Sequence, residues 1–204
     1  MFNMDPSRET IGFLVRHGEL TDMSRWDGWG ELDLSELGRQ QAEAAARWLS
    51  FYPIGQAISS DVPRTLSTAQ YLMDTGVVAC PFLRCEPNLR PWFVAGFTGK
   101  EKTPERMAEF KNYIDHPDLV IPDGESRNQF ETRIQIIFQY LACPYNALPT
   151  VFFIHNSVIK GVMGIPNVKE ACSPGGIVKV TMDEKGEMYF DVVLGHIEPE
   201  TGVS

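Results

Sequence analysis

The chain has 204 residues, of which 43% are hydrophobic and 22% are charged, and its formal net charge is −9. This composition is ordinary for a globular protein with one sizeable core, and no apolar run reaches the roughly 18 residues that a membrane-spanning helix needs. The acidic balance argues against a nucleic-acid-binding surface, which requires a basic stripe. We therefore expect neither nucleic acid nor a membrane as a partner, although a few arginines in a cleft can still bind an anion.

The N-terminus and the cysteines both favour a reducing cytoplasm. Residues 1–15 (MFNMDPSRETIGFLV) contain an early acidic residue and no long apolar stretch, so we expect no signal peptide. The cysteines lack C-x-x-C spacing and have no histidine cluster nearby, which argues against a structural zinc site. We expect buried or incidental thiols, as is usual in cytoplasmic proteins, at Cys80, Cys85, Cys143 and Cys172.

Predicted strands and helices alternate in the first half of the chain. In chain order they are a buried strand at 11–16 (IGFLVR), a loop at 19–33, a helix at 34–52, a short strand at 56–60 (QAISS) and a helix at 61–76. Ser35 is expected to be the N-cap of the first helix. Asp61 is expected to be the N-cap of the second helix, with Pro63 in its first turn.

The second half continues this alternation around two irregular stretches. The predicted elements are a strand at 77–86, a helix at 103–114 with Thr103 as N-cap, a helix at 125–143, a buried strand at 150–155 (TVFFIH), a short helix at 156–164 and a hairpin at 175–194 that turns around DEKG. One apolar face of the 125–143 helix is predicted from the spacing of Phe130, Ile134, Ile137, Phe138 and Leu141.

This order of elements predicts an α/β fold, a three-layer sandwich with a mostly parallel central sheet and a C-terminal hairpin. We see no internal repeat or clean linker, so we expect a single domain over residues 1–204. The irregular region 87–125 is predicted to be a cap or insertion over one end of the sheet. The final hairpin offers an edge strand, which leaves a homo-oligomer open.

Two of the predicted strands end in histidine, at His17 (GFLVRH) and His155 (VFFIH). Ligand sites in open α/β sheets lie at the carboxyl ends of strands, so both histidines are expected at the same crevice. Arg64 falls in the first turn of the 61–76 helix, where helix N–H groups favour an anion. A single histidine at a strand end is more often structural than functional. The two strand-end histidines together with Arg64 indicate a functional site.

The chain resembles the histidine phosphatase superfamily, the phosphoglycerate-mutase-like proteins. The matching blocks follow in order and cover most of the chain: LVRHGE, LDLSELGRQQAEAAARWL, ISSDVPRTLSTAQYL, PDGES and FFIHNSVIKGVMG. An R-H-G tripeptide alone is weak evidence, whereas the ordered set in matching structural contexts is specific. The resemblance implies a phosphoglycerate-mutase-like fold.

The resemblance also implies the roles of the site residues. His17 would attack phosphorus and become a transient phosphohistidine, while Arg16, Arg64 and His155 would hold the phosphoryl oxygens. Such a scheme needs no metal and no cofactor, because phosphoryl transfer depends mainly on positioning and on stabilising the charge of the oxygens. Arginine's planar fork suits those oxygens, and the nucleophilic histidine must be neutral at its attacking nitrogen.

Two neighbours complete the expected phosphate-binding set. Gly18 has no Cβ, so its backbone is expected to approach the phosphate closely. Asn156 follows the second histidine, at a position where the family typically has glycine, and we include it among the phosphate-binding candidates.

The chain departs from the family where the general acid is usually found. Members commonly have an LRE run followed by DFGEWEG, whereas this chain has LRPWFVAGFTG at 89–99, with Pro91 and Phe93 in place of the carboxylates. A general acid is typically worth about 10²–10⁴ in rate. Glu19, beside the nucleophile, is the candidate replacement proton donor, and Glu125 is the second candidate.

We therefore predict a metal-independent phosphatase that hydrolyses a phosphate monoester, or an activated phosphate, through a phosphohistidine on His17. The expected partner is a small phosphorylated substrate or phosphate itself. Because the usual acid is absent, a catalytically weak phosphate-binding or regulatory module is the alternative, and a phosphoglycerate-type mutase is a further one. Loop aromatics are candidates either for a substrate pocket or for packing of the cap: Trp26, Trp29, Trp92, Phe93 and Phe97. Arg25 and Lys160 are candidates for extra positive charge.

Overall fold

A computed structural model describes residues 7–165 and 171–195. The strands are β1 (Arg8–Arg16), β2 (Gln56–Ser59), β3 (Arg84–Cys85), β4 (Thr150–Ile154), β5 (Ile177–Asp183) and β6 (Met188–Leu194). The helices are α1 (Glu36–Leu49), α2 (Pro63–Met73), α3 (Pro104–Asp115), α4 (Arg127–Ile134), α5 (Ile136–Ala142) and α6 (Asn156–Val162). None of the helices in these described ranges is long and apolar enough to cross a membrane.

The six strands form one sheet in the order β3-β2-β4-β1-β5-β6. The first four are parallel neighbours, and β5 and β6 pair antiparallel at one side. This arrangement confirms the predicted mostly parallel sheet with a C-terminal hairpin. It also sets the carboxyl ends of β1, β2 and β4 side by side at one edge.

Helices cover both faces of the sheet because the central strands are apolar on both sides. In β1, Phe13 and Val15 face the core formed with α1 and α2, whereas Leu14 faces the core formed with α4, α5 and α6. In β4, Phe153 and Phe152 divide between the same two cores. The predicted three-layer sandwich is therefore confirmed, with burial of apolar area on each side of the sheet as its main stabilising term.

Helix caps were predicted well where the capping group acts locally. The Ser35 hydroxyl accepts from the Gly38 N–H at the start of α1, and the Thr103 hydroxyl accepts from the Arg106 N–H at the start of α3. The prediction of Asp61 as the cap of α2 was wrong, because Val62 is the N-cap and makes no side-chain bond. The Asp61 carboxylate is instead engaged by Arg90, whose Nε and Nη2 donate to it at 2.6 Å each.

Two predicted elements are shorter than expected. The strand expected at 77–86 is reduced to Arg84–Cys85 and an isolated bridge between Ile54 and Val78, since this segment lies at the exposed edge of the sheet. The helix expected at 125–143 is divided at Gln135, whose N–H bonds back to the Thr132 carbonyl in a tighter turn. The predicted apolar face continues across the two helices, in which Phe130, Ile134, Ile137 and Leu141 are buried.

The segment 87–125, called the cap segment below, is mostly irregular. It contains two short 3-10 turns and α3, a helix in which no residue is fully buried. The Arg133 guanidinium of α4 ties the start of the segment down by donating to the carbonyls of Asn88, Arg90 and Pro91. That residues 1–204 form one domain stays a prediction, since 1–6, 166–170 and 196–204 lie outside the described residues.

Candidate active site

The two strand-end histidines lie together at the carboxyl edge of the sheet. β1 and β4 are parallel neighbours with Arg16 opposite Ile154, so the next residue of each strand emerges at the same place. The His17 N–H donates to the Ile154 carbonyl at 3.0 Å, and the two imidazole rings are 5.3 Å apart between centroids. Both side chains are buried. Their proximity follows directly from strand register.

The hydrogen bond of His17 decides which of its nitrogens can react. Nδ1 lies 2.7 Å from the Gly18 carbonyl oxygen, which can only accept, so Nδ1 carries the proton. The lone pair of the neutral ring is then on Nε2. Burial lowers the pKa of His17 well below its usual value, with the charges of Arg64 and Arg16 acting in the same direction and the Gly18 bond opposing them. The ring is therefore neutral at physiological pH and nucleophilic at Nε2.

His155 is held in the opposite tautomer. The Nε–H of Arg64 donates to His155 Nδ1 at 3.3 Å, so Nδ1 is the unprotonated nitrogen. Nε2 carries the proton and donates to the Ser60 hydroxyl, 3.1 Å away. Burial again lowers the pKa of His155 well below its usual value, followed by repulsion from Arg64. His155 is thus a neutral, oriented neighbour of the nucleophile.

Arg64 is buried in the first turn of α2, and four N–H contacts hold its side chain. Nη1 donates to the Asp27 carboxylate at 2.6 Å and to the Gly30 carbonyl at 3.4 Å, Nη2 donates to the Gly28 carbonyl at 2.6 Å, and Nε donates to His155. Burial lowers the pKa of Arg64 to about 10, with Asp27 opposing the shift, so the side chain stays cationic at neutral pH. One of the five N–H groups of a guanidinium remains for a ligand.

Arg16 completes what we call the His–Arg cluster, consisting of Arg16, His17, Arg64 and His155. Its side chain is buried, and its Nη1 donates to the Cys172 carbonyl at 2.7 Å. All four members line one cavity. The sequence analysis therefore selected four residues that the fold does bring together.

Gly18 and Asn156, the two predicted neighbours of the phosphate, both make contacts within the protein. The Gly18 N–H donates to the Thr68 hydroxyl at 3.2 Å, and a Cβ on Gly18 would lie 2.2 Å from the Gly38 carbonyl oxygen of α1. Gly18 is needed for close packing of β1 against α1. The Asn156 side-chain oxygen accepts from the Ala171 N–H at 2.9 Å, although Asn156 does line the cavity.

Beyond the cluster the cavity is large and mostly apolar, with a volume of about 900 Å³. The residues called the apolar wall below come from three loops and helices: Trp26, Trp92, Val94, Met107, Phe110, Ile114 and Phe130. Arg25 and Lys160, predicted as sources of positive charge, also line it. Burial and the nearby Arg16 lower the pKa of Lys160. Of the other predicted aromatics, Trp29 stacks on Phe93 at 4.1 Å between centroids, and Phe97 packs in the core.

Neither predicted replacement acid points toward the cluster. The Glu19 carboxylate accepts from the Ser35 hydroxyl at 3.1 Å, at the start of α1. Glu125 accepts from the Phe93 N–H at 2.8 Å and from Arg133 at 2.6 Å. Among the described residues, those that line the cavity include neither glutamate. Both carboxylates instead anchor loops.

The sequence analysis did not identify Asp27, the carboxylate that contacts the cluster. Burial raises the pKa of this half-buried aspartate, while its ion pair with Arg64 opposes the rise. The only signal in the sequence is the pair of glycines that follow, Gly28 and Gly30, since glycine allows a close backbone approach. Gly28 has a positive φ of 56°, and its carbonyl reaches Arg64.

The described residues do not form a recognisable metal-binding cluster. Within residues 7–165 and 171–195, no group of three or more His, Cys, Asp and Glu side chains is arranged to hold a metal ion. The charges that the structure offers to a bound anion are those of arginine and lysine side chains, which line the cavity.

Several known proteins resemble this chain in sequence or in fold. "Probable phosphoglycerate mutase GpmB" of Proteus mirabilis is 30% identical over 173 residues, covering 78% of this chain and 77% of that protein. The structure of a phosphoglycerate mutase from Thermus thermophilus is 26% identical, with a TM-score of 0.65 over 91% of this chain and 98% of that one. A mycobacterial glucosyl-3-phosphoglycerate phosphatase is 20% identical, with a TM-score of 0.74 over 93% of this chain and 100% of that one, a likeness of fold.

The family model that matches this sequence covers both histidine-bearing strands. It extends over residues 13–166, which include the carboxyl-terminal part of β1, all of β4 and all the helices described above. The sequence blocks, the sheet order and the paired strand-end histidines all agree with that match. The chain belongs to the histidine phosphatase superfamily, branch 1.

Proposed function

We propose that this protein is a phosphomonoesterase that works through a phosphohistidine on His17. The observation that carries the proposal is the fixed tautomer of His17, with Nδ1–H bonded to the Gly18 carbonyl and the lone pair on Nε2. A buried imidazole that is neutral at physiological pH can attack phosphorus without first losing a proton. Arg64 and Arg16 line the same cavity as His17, which supports a role for both in holding the phosphoryl oxygens.

The chemistry proceeds in two displacements. The Nε2 lone pair of His17 forms a bond to phosphorus while the ester P–O bond breaks, and water later attacks phosphorus and releases the histidine. The arginines stabilise the charge of the phosphoryl oxygens in both steps, since such transfers depend on positioning and electrostatics. Positive charge from Arg16 and Arg64 takes the place that a metal ion has in many other phosphatases, so the proposed reaction is metal-independent.

The names of similar proteins support both a hydrolase and a mutase. We favour the hydrolase because a mutase must protonate and deprotonate substrate oxygens at a retained intermediate, which calls for a carboxyl group near the phosphate. The segment 89–99 contains none, the candidates Glu19 and Glu125 are engaged elsewhere, and Asp27 is held in an ion pair with Arg64. Isomerisation of 3-phosphoglycerate by the purified protein, at a rate comparable to its ester hydrolysis, would establish the mutase instead.

The test is hydrolysis of p-nitrophenyl phosphate by the purified protein in the presence of EDTA. We expect turnover by the wild type, a loss on the order of 10⁴-fold or more in His17→Ala, and a phosphoryl group on His17 detectable by mass spectrometry after rapid quenching. His116→Ala is the matched control, because His116 is an exposed histidine at the end of α3 that is not part of the cavity lining. Wild-type turnover no greater than that of His17→Ala overturns the proposal.

A second candidate, a phosphate-binding module with little turnover, is favoured by one observation. Asp27 and two backbone carbonyls already occupy most of the Arg64 donors. A phosphate would then bind to a cluster whose strongest cation is partly neutralised. Phosphate binding by calorimetry, without turnover and without any phosphohistidine, would identify this function.

A further inference from the structure

We propose that the ester cleaved at His17 is an aryl phosphate, with phosphate attached to a phenol-type oxygen and the aromatic ring against the apolar wall. This inference rests on the proposed function and names its substrate class. Two separate observations carry it, the lining of the cavity and the engagement of its carboxylates. They are taken in turn.

The cavity is much larger than a phosphate group needs. Its volume of about 900 Å³ lies near the top of the range of about 300–1,000 Å³ that is usual for ligand pockets. The cavity that the His–Arg cluster lines is also lined by the aromatic side chains and the methionine of the apolar wall. A polar leaving group such as glycerate would leave this surface uncovered, whereas an aromatic ring would bury it.

The wall is also held in a fixed arrangement before any ligand binds. The Trp92 indole N–H donates to the Glu125 carbonyl at 2.9 Å. The Phe110 ring lies 5.2 Å from that of Trp92 and 5.7 Å from that of Trp26, between centroids. Rigid aromatic side chains lose little conformational entropy on binding, so a flat apolar ring is the group that this arrangement favours.

Each carboxylate of the described cavity lining is engaged by a neighbouring polar or charged group. Asp22 accepts from the Ser24 hydroxyl, which lowers the pKa of Asp22, and Glu131 lies 3.1 Å from the Arg127 Nε. Asp27 is paired with Arg64. The Asp27 carboxylate accepts from Arg64 Nη1 at 2.6 Å, so its contact within the His–Arg cluster is with the arginine.

A leaving group that departs unprotonated must be a weak base. A phenol has a pKa of about 10, like tyrosine, whereas the alcohol released from an alkyl ester has a pKa nearer the roughly 15.7 of water. An aryl ester can therefore leave as phenolate, which makes the missing general acid, worth about 10²–10⁴ in rate, unnecessary. A small acyl phosphate could also leave without help, but it would not cover the apolar wall.

The balanced reaction follows. The Nε2–P bond of His17 forms as the P–O(aryl) bond breaks, and the phenolate keeps the electron pair and takes a proton from water. Water then attacks the phosphohistidine, and the N–P bond breaks with its electron pair returning to Nε2. One proton of the attacking water stays on the phosphate, and the other neutralises the hydroxide that was left when the phenolate was protonated. The products are a phenol and inorganic phosphate.

The first experiment compares two esters of nearly equal size, phenyl phosphate and cyclohexyl phosphate, in EDTA with the wild type and His17→Ala. We expect kcat/KM for phenyl phosphate to be about 100-fold higher or more, and a steep dependence on phenol pKa across substituted phenyl phosphates. His17-dependent cleavage of cyclohexyl phosphate or 3-phosphoglycerate at an equal or higher rate overturns the substrate class but leaves the phosphomonoesterase standing. Cleavage of no ester overturns both.

The second experiment tests the wall directly. Met107 is 45% exposed on α3 and lines the cavity, so Met107→Asp changes the wall without disturbing the core. We expect KM for naphthyl phosphate to rise about tenfold, with inhibition by inorganic phosphate unchanged. Asn112→Asp puts the same charge on the exposed side of the same helix as a matched control. An unchanged KM in Met107→Asp overturns the placement of the ring.

The third experiment distinguishes a hidden proton donor and the source of the aryl group. If Asp27 only orients Arg64, Asp27→Asn slows hydrolysis of p-nitrophenyl and cyclohexyl phosphate by the same factor, whereas a selective loss on the cyclohexyl ester overturns the inference.

A tyrosine-phosphorylated peptide presents the same aryl phosphate chemistry on a macromolecule. Its cleavage at rates matching phenyl phosphate supports a protein source, and cleavage of the small esters alone supports a small molecule.

Discussion

The His–Arg cluster and the cap segment meet at one cavity, but they are built in different ways. The cluster follows from strands β1 and β4 and the start of α2, and its four side chains are buried and held by hydrogen bonds. The cap segment is mostly loop, and its helix α3 has no fully buried residue. We therefore expect the cluster to govern the reaction and the cap segment to govern substrate preference. Exposed positions of α3 should tolerate change at little cost to stability.

Arg64→Lys should have the largest effect on kcat/KM, because it changes a member of the His–Arg cluster. A lysine keeps the charge but lacks the planar fork that contacts Asp27, Gly28 and His155 together. We expect kcat/KM for p-nitrophenyl phosphate to fall by about 100-fold or more, comparable to the loss of a preorganised electrostatic donor. Arg106→Lys, on the exposed part of the cap segment, is the control. A loss under tenfold would show that Arg64 does not contact the phosphoryl group.

Gly18→Ala should destabilise the fold near the cluster. Its Cβ would lie 2.2 Å from the Gly38 carbonyl oxygen, so β1 and α1 must separate. We expect a loss of about 1–3 kcal/mol or more in the free energy of unfolding, measured in urea. Gly195→Ala is the matched control, because no atom lies within 4 Å of its added Cβ. Equal stability of the two variants would contradict the packing role of Gly18.

The pH dependence of stability and of kcat/KM should reflect the lowered pKa values of the buried His17 and His155. Because burial lowers the pKa of His17 and His155, the folded state takes up protons less readily than the unfolded state. Their contribution to stability is therefore intact above the unfolded pKa of about 6.5 and is lost as pH falls from there toward the folded values. We expect kcat/KM to stay constant down through pH 6.5 and to decline only in more acid solution. An apparent pKa of 6.5 or above, unchanged in His155→Asn, would contradict a neutral buried nucleophile.

Glu125→Gln tests the attachment of the cap to the rest of the protein. Glu125 accepts from Arg133 and from the Phe93 N–H, and Arg133 also binds the carbonyls at the start of the cap segment. Loss of the charge should cost about 1.5–3 kcal/mol in the free energy of unfolding and raise KM for aryl esters more than it lowers kcat. A fall in kcat with KM unchanged would instead assign Glu125 a role in the chemistry.

Lys111→Ala should have the smallest effect. Lys111 lines the cavity, but its ammonium is exposed and pairs with Asp115 one turn later in α3. Exposed pairs of this kind contribute about 0.3–0.5 kcal/mol, so thermal unfolding should barely change. A loss of more than about 1 kcal/mol in the free energy of unfolding would show that α3 stabilises the fold. That result would contradict the expectation that exposed positions of α3 tolerate change.

Sequence patterns predicted the features that depend on near neighbours. Ser35 and Thr103 cap their helices because a hydroxyl reaches an N–H three residues ahead, and the apolar face of 125–143 follows from helical periodicity. Asp61 failed as a cap because Arg90, 29 positions along the chain, binds its carboxylate. Glu19 satisfied the expected spacing beside the nucleophile, yet its carboxylate turns toward Ser35.

By itself, then, the sequence determined the α/β sandwich, the family and the four residues of the His–Arg cluster. Apolar periodicity decides which segments are buried, and parallel strands place the residues after them at one edge. Only the tertiary structure decided how Arg64 is held by Asp27, 37 positions earlier, and which aromatics enclose the cavity. Such contacts join loops distant in the chain, so their geometry depends on packing that no local pattern encodes.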